Sequence, residues 1–248
     1  MSERGWMEYG SEFDWRSNDA LLSDEPQSFV QDDWQLYRSG RDAIKAIARI
    51  AGGCKVLLPA LCCESMILPF SGNGYDVEFY KMNPDLTGDE TDVREKLADG
   101  TVLLYMRYFG IRPFTDEFLL SLRGSGMDIV FVEDRTHDII VPRGEKRFVP
   151  DAVLASLRKW AALPEGGMLR TDMGCCISGT DARFGDTRCE AMEMKVRYLE
   201  TWKPELKKEF LDKLHGAERL LDESGVPRGM SAEYEALLRR IDFAALLA

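Results

Sequence analysis

Lys159 follows an apolar run, Ala152-Val153-Leu154-Ala155, and precedes a Gly166-Gly167 turn and a second apolar run. A lysine at the end of a buried strand can form a Schiff base with an aldehyde cofactor. Taken alone, it is as readily a surface residue whose stem lies along apolar neighbours while its ammonium reaches water. Three other features fall in comparable places. Ser39-Gly40-Arg41-Asp42-Ala43-Ile44 is a glycine turn entering a helix, whose first N–H groups can hold a phosphate or simply be capped by the serine. Asp134 follows the apolar run 128–133, where a carboxylate can cap a turn or hold a positive ligand group. His137 stands three residues further on, either as a structural hydrogen-bonding residue or as a catalytic one. Ser156 lies three residues before Lys159.

These residues need elements to hold them. The pattern predicts a helix over 42–51 with Ile44, Ile47 and Ile50 near one face, closed by Gly52-Gly53. Short buried strands are predicted at 56–58, stopped by Pro59, and at 77–80, 101–106 and 128–133. Helical stretches are predicted at 64–68, 92–98 and 116–122. This alternation indicates an α/β domain with a mainly parallel central sheet covered by helices on both faces. Ligands of such sheets bind at the carboxyl ends of the strands, where Asp134 and Lys159 fall.

The chain is expected to divide into an aromatic-rich N-terminal arm over 1–38, the α/β domain over 39–180 and a helical segment over 181–248. Trp6, Tyr9, Phe13, Trp15, Phe29, Trp34 and Tyr37 argue against a free tail, so the arm is expected to wrap the domain or a partner subunit. From 182 to 223 the charged texture reads as one or two long helices leading away from the sheet, interrupted at Pro204. A further helix is expected over 232–247.

Composition narrows the function classes. Of 248 residues, 32 are Lys or Arg and 43 are Asp or Glu, giving a net charge of −11. That balance repels phosphate backbones and argues against a nucleic-acid partner. No apolar stretch is long enough to span a bilayer and the first residues do not begin a signal peptide, so a cytoplasmic location is the default. The six cysteines form two adjacent pairs without C-x-x-C spacing, and there are two histidines. No metal site is expected, and the thiols read as small, mostly buried apolar residues in a reducing compartment.

A phosphate turn, a strand-end carboxylate and a lysine, in that order, are what pyridoxal phosphate requires. On these residues the sequence resembles the sugar-aminotransferase branch of the pyridoxal-phosphate-dependent enzymes, the DegT/DnrJ/EryC1/StrS family, of aspartate-aminotransferase-like fold (fold type I). Residues 39–44 are similar to the family's Asn/Ser-Gly-Thr-x-Ala-Leu turn, and Val132-Glu133-Asp134 to its (V/I)-E-D strand end. Ser156 to Gly167 is similar to its Ser-x-x-Lys followed by Glu-Gly-Gly, and Tyr108-Phe109-Gly110 to an aromatic-Gly step after a central strand. The similarity covers roughly residues 39–171.

The resemblance implies a transaminase moving an amino group from glutamate to a nucleotide-linked keto sugar, in surface-polysaccharide or secondary-metabolite synthesis. A non-catalytic protein that keeps the fold for binding or assembly is the alternative. Lys159 would hold the cofactor and later move a proton on the substrate carbon, and Asp134 would keep the pyridine nitrogen protonated. Ser156 and the N–H groups of Gly40 and Arg41 would bind the phosphate, and His137 the phenolic oxygen. The resemblance also implies a homodimer.

The sequence departs from the family at several points. Arg41 replaces a threonine, and Cys63 stands where an aromatic commonly stacks on the cofactor ring. Arg135-Thr136 replace small residues after Asp134, which is expected to crowd the site. Family chains continue into a small C-terminal domain, and this chain ends where that domain should be forming.

Overall fold

Continuous apolar runs four to six residues long can bury both of their faces only inside a covered sheet, and here they do so. The computed structural model describes residues 12–19, 21–25, 29–30, 32–139 and 148–247. It contains β1 (Gln35–Tyr37), β2 (Lys55–Pro59), β3 (Asp76–Tyr80), β4 (Thr101–Met106), β5 (Ile129–Asp134), β6 (Ala152–Ser156) and β7 (Gly167–Thr171) in one sheet. The strand order is β1-β7-β6-β5-β4-β2-β3. β2 to β6 are mutually parallel where they pair, while β7 runs antiparallel to both β6 and β1. The α/β, mainly parallel architecture expected from the sequence is therefore present.

Alternation along each strand distributes the helices. Val56, Leu58, Val102, Leu104, Val132 and Leu154 point to α1 (Gly40–Ile50) and α2 (Glu64–Ser71). Leu57, Leu103, Tyr105, Ile129 and Phe131 point the other way, to α3 (Glu90–Lys96) and α4 (Asp116–Arg123). Ser39 caps α1, its hydroxyl accepting the Asp42 N–H at 3.1 Å. Pro59 does not stop β2 but forms its last rung, opposite Tyr80.

Three further expectations need correction. The helices α5 (Ala182–Thr201) and α6 (Pro204–Glu223) do not lead away from the sheet. They form a hairpin turned at Trp202, which takes a left-handed φ of 54°, with Pro204 in the first turn of α6. Phe210 and Leu214 of α6 pack on Ala191, Met194 and Tyr198 of α5. The hairpin then docks back on α1, where Lys45 donates to the carbonyls of Leu221 at 2.6 Å and Ser224 at 2.7 Å. Sequence periodicity reveals that a helix is amphipathic, not which surface its polar side will reach.

The second correction concerns the cysteines. All six are free thiols and none is fully buried, Cys54, Cys63 and Cys175 being exposed. Third, the expected helix over 232–247 is two pieces, α7 (Ala232–Leu238) and a 3₁₀ segment, Phe243–Leu247. Ile241 between them forms a bridge with Leu22 of the arm.

The arm wraps its own chain. Asn18 is buried and exchanges hydrogen bonds with the backbone of Ala162, at 2.7 and 2.9 Å. Phe29 packs on Phe243 with ring centroids 4.4 Å apart, and β1 closes the sheet edge on β7. Trp6 and Tyr9 lie outside the described residues.

Where β7 passes the start of α1 the backbones nearly touch. A Cβ on Gly167 would lie 2.1 Å from the Ser39 carbonyl oxygen. Both sides of that contact are backbone, so neither can yield cheaply. Gly167→Ala is expected to cost about 1–3 kcal/mol as an overpacking substitution, read as a lowered midpoint in chemical denaturation.

Candidate active site

Each expected site residue sits where a strand or helix ends. Asp134 is the last residue of β5 and Ser156 the last of β6; Lys159 closes the short 3₁₀ turn Leu157–Lys159 that follows. Gly40 and Arg41 open α1, and Cys63 precedes the first residue of α2. His137 follows β5. Parallel strands place all these ends on one side of the sheet, and a cavity of about 460 Å³ lies there. Gly40, Arg41, Cys63, Asp134, His137, Ser156 and Lys159 all line it.

The floor carries the charge that most needs a partner. Asp134 is 3% exposed, and burial pushes its carboxyl up to about 6 despite hydrogen bonds from Thr136 and the nearby Lys159 amine. Lys159 makes no ion pair or hydrogen bond among the described residues, so its amine is available to the cavity. It also helps burial to hold the His137 imidazole below its ordinary value. Nδ1 of His137 is buried without a hydrogen-bond partner among the described residues. The His137 ring stacks on Phe109 at 5.0 Å and stands edge-on to Tyr108 at 6.1 Å.

Phe109 is 75% exposed and holds φ 52°, a left-handed backbone disfavoured for a residue with a Cβ. Tyr108 donates its hydroxyl to the Leu61 carbonyl. Tyr108 and His137 supply the aromatic rings of the cavity lining among the described residues, with Cys62 and Cys63 beside them.

At the other end, Gly40 leaves the first turn of α1 bare. A Cβ there would come within 2.9 Å of the Ser156 Cβ, so glycine is what allows the helix start and the end of β6 to meet. The free N–H groups of the helix start and the Ser156 hydroxyl, in the same cavity lining, suit an anion.

Of the two residues after Asp134, Thr136 lines the cavity and Arg135 does not. Arg135 donates through Nε to Glu133 at 2.6 Å. Thr136 instead braces the site. Its N–H reaches Asp134 Oδ1 at 2.7 Å, its hydroxyl accepts the Ser156 N–H at 3.1 Å, and its carbonyl accepts the Trp160 indole N–H at 2.7 Å. Arg107, near the site in sequence, stays out of the lining and pairs with Asp138 at 3.0 Å.

Two lining residues had no local signal in the sequence: Glu12 of the arm and Glu218 of α6. Burial alone would raise the Glu12 carboxyl, but the Arg188 and Arg158 guanidiniums and the Lys159 amine together hold it below its usual value. The arrangement can hold an anion at the α1 turn, a cation over Asp134 and a carbonyl carbon at Lys159. Among the described residues, no cluster of side chains suits a metal ion and no helix is long and apolar enough to cross a membrane.

No protein-family model matches the sequence, and no curated protein matches it. Solved structures do. A variant of GDP-4-keto-6-deoxymannose-3-dehydratase with bound GDP-perosamine matches at TM-score 0.50 and 18% identity, over 59% of this chain and 45% of that one. The E. coli GDP-4-keto-6-deoxy-D-mannose-3-dehydratase with bound hydrated PLP matches at 0.48 and 19%, over 56% and 39%. A putative sugar aminotransferase of Streptococcus pneumoniae in its PLP form matches at 0.47 and 16%, over 68% and 47%. This chain spans less than half the length of each. The first likeness shows the fold, which is the one the sequence resemblance implies.

Proposed function

We propose that this chain binds pyridoxal phosphate and carries out transamination, with a keto sugar as acceptor and glutamate as amino donor. The observation that carries the reading is the convergence of a free lysine amine, a buried carboxylate with a raised pKa and a bare helix start in one cavity. The residues fit the cofactor. Asp134 offers a carboxylate for a protonated ring nitrogen, His137 an unpartnered buried nitrogen for a ring oxygen, and Gly40, Arg41 and Ser156 a cradle for the phosphate. When bound, the cofactor supplies an electron-withdrawing ring that makes a proton on the amine-bearing carbon removable.

The chain's own residues do the remaining work. Lys159 would hold the cofactor through Nζ, and its amine, when free, would take and return the proton at the substrate carbon. Asp134 would keep positive charge on the cofactor's ring nitrogen by offering it a carboxylate. Thr136 holds Asp134 and Ser156 in register, and Tyr108 and His137 wall the cavity on its aromatic side. The family resemblance supports a homodimer, which sedimentation tests directly.

The function is tested by adding glutamate to the cofactor-loaded chain. Conversion of the cofactor to its amine form, with 2-oxoglutarate released, supports transamination. Cofactor bound tightly but unchanged by any amino donor supports instead a role in binding or assembly.

Cys63 gives a further expected result. An aromatic side chain at that position adds a stacking surface worth about 0.5–1.5 kcal/mol. Cys63→Phe is therefore expected to tighten cofactor binding about two- to twelvefold in an absorbance titration.

A further inference from the structure

We infer that Arg41 and Arg158 form an oxyanion subsite in the cavity wall, separate from the phosphate cradle, and that Glu218 is its resident counter-ion until a ligand's carboxylate or phosphate replaces it. This inference concerns guanidinium side chains and stands whichever cofactor the cavity holds.

Three arginines converge on one carboxylate. Glu218 Oε2 lies 3.4 Å from Arg41 Nη2, while Oε1 lies 3.2 Å from Arg158 Nη1 and 3.3 Å from Arg188 Nη1. The guanidiniums of Arg158 and Arg188 also share the Phe184 ring, at 5.2 and 5.6 Å from its centroid. Gathering like charges at one point is unfavourable without an anion among them. Even with Asp222 on Arg41 and Glu12 on Arg188, the carboxylates do not satisfy so many donors: Nε of Arg41 and Nε of Arg158 are both buried without a hydrogen-bond partner among the described residues.

A guanidinium grips an oxyanion best with two parallel N–H groups, and Glu218 engages each of these two arginines through an Nη alone. The two arginines thus retain unused donor capacity. Arg188 is different, because Glu12 also takes its Nη2 at 2.8 Å, and it does not line the cavity. Glu218 itself is a third exposed and projects from α6, an element outside the sheet, so it can withdraw without breaking a strand. Asp222, which also pairs with Arg41, is half exposed and does not line the cavity.

Isothermal titration of the chain without pyridoxal phosphate, using glutarate and pyrophosphate separately, tests this. Glutarate stands for a dicarboxylate donor and pyrophosphate for a phosphorylated acceptor, so the probe whose binding responds to Glu218 and Arg158, and not the tighter one as such, identifies the source of the oxyanion. Glu218→Gln keeps the shape and removes the competing charge, and is expected to tighten the preferred probe about tenfold. Arg158→Met in the same background is expected to abolish that gain. Asp222→Asn removes a charge outside the cavity and is expected to change affinity less than threefold. Denaturation midpoints confirm that each variant is folded. Unchanged or weaker binding by Glu218→Gln, an equal gain from Asp222→Asn, or a gain that survives Arg158→Met would overturn the inference. None of these outcomes depends on whether Lys159 takes an aldehyde.

Discussion

Lys159→Ala is expected to abolish borohydride-stable attachment of pyridoxal phosphate, whereas the unaltered chain should retain one pyridoxyl group, on the peptide carrying Lys159. The expectation rests on position. Lys159 faces the cavity from the turn after β6, free of ion pairs among the described residues, and its charge is felt by Asp134, His137 and Glu12. Other lysines are tied to structure: Lys45 holds the carbonyls ending α6, and Lys96 and Lys81 pair with Asp92. At limiting cofactor a single labelled peptide is therefore expected, identified by mass spectrometry after reduction. Label spread evenly over many lysines, and unchanged in Lys159→Ala, would sink the assignment.

Asp134→Asn is expected to act in opposite directions with and without cofactor. In the free chain, burial raises the Asp134 pKa from an ordinary 3.8 to about 6. The folded state then holds its proton more tightly than the unfolded state, so stability falls as pH rises from about 4 through 6. The loss approaches about 3 kcal/mol, at 1.36 kcal/mol per pKa unit. Asparagine cannot ionise, so the variant should be the more stable protein at pH 8, with the gap closing as pH falls toward 4. Urea denaturation at several pH values measures this directly.

With cofactor the order reverses. A carboxylate about 3 Å from a pyridinium at an effective dielectric near 20 gains roughly 5 kcal/mol before desolvation. If about half survives, the substitution weakens cofactor binding on the order of 100-fold. Binding unaffected by Asp134→Asn would show that the carboxylate faces something other than a ring nitrogen.

Much of this architecture was legible in the sequence, and the reason is physical. Strands buried on both faces must be apolar throughout, so 101–106 and 128–133 stood out, and in a parallel sheet their ends must share one side. Asp134, Ser156 and Lys159 could therefore be grouped before any contact was known. β1 was hidden because three residues among aromatics carry no usable period. Glu12 and Glu218 were hidden for a different reason: each reaches the cavity through packing of elements more than 100 residues from the strand ends in sequence or on another layer. The exposure of the cysteines followed from tertiary placement too, since composition alone speaks only of averages. Arg135 is a simpler case. Period-two alternation already directs it to the same face as Glu133 and away from Asp134.

The pairing of β1 with β7 also sets the order in which the protein can be completed. Leu36 sits opposite Met168, a partner synthesised about 130 residues later. At translation rates of 5–20 residues per second, the arm strand waits on the order of ten seconds for its place in the sheet. β7 in turn pairs with β6, and the turn between those two strands carries Lys159. Docking of β1 and closure of the β6–β7 connection that carries Lys159 thus both wait until residues 167–171 have been made.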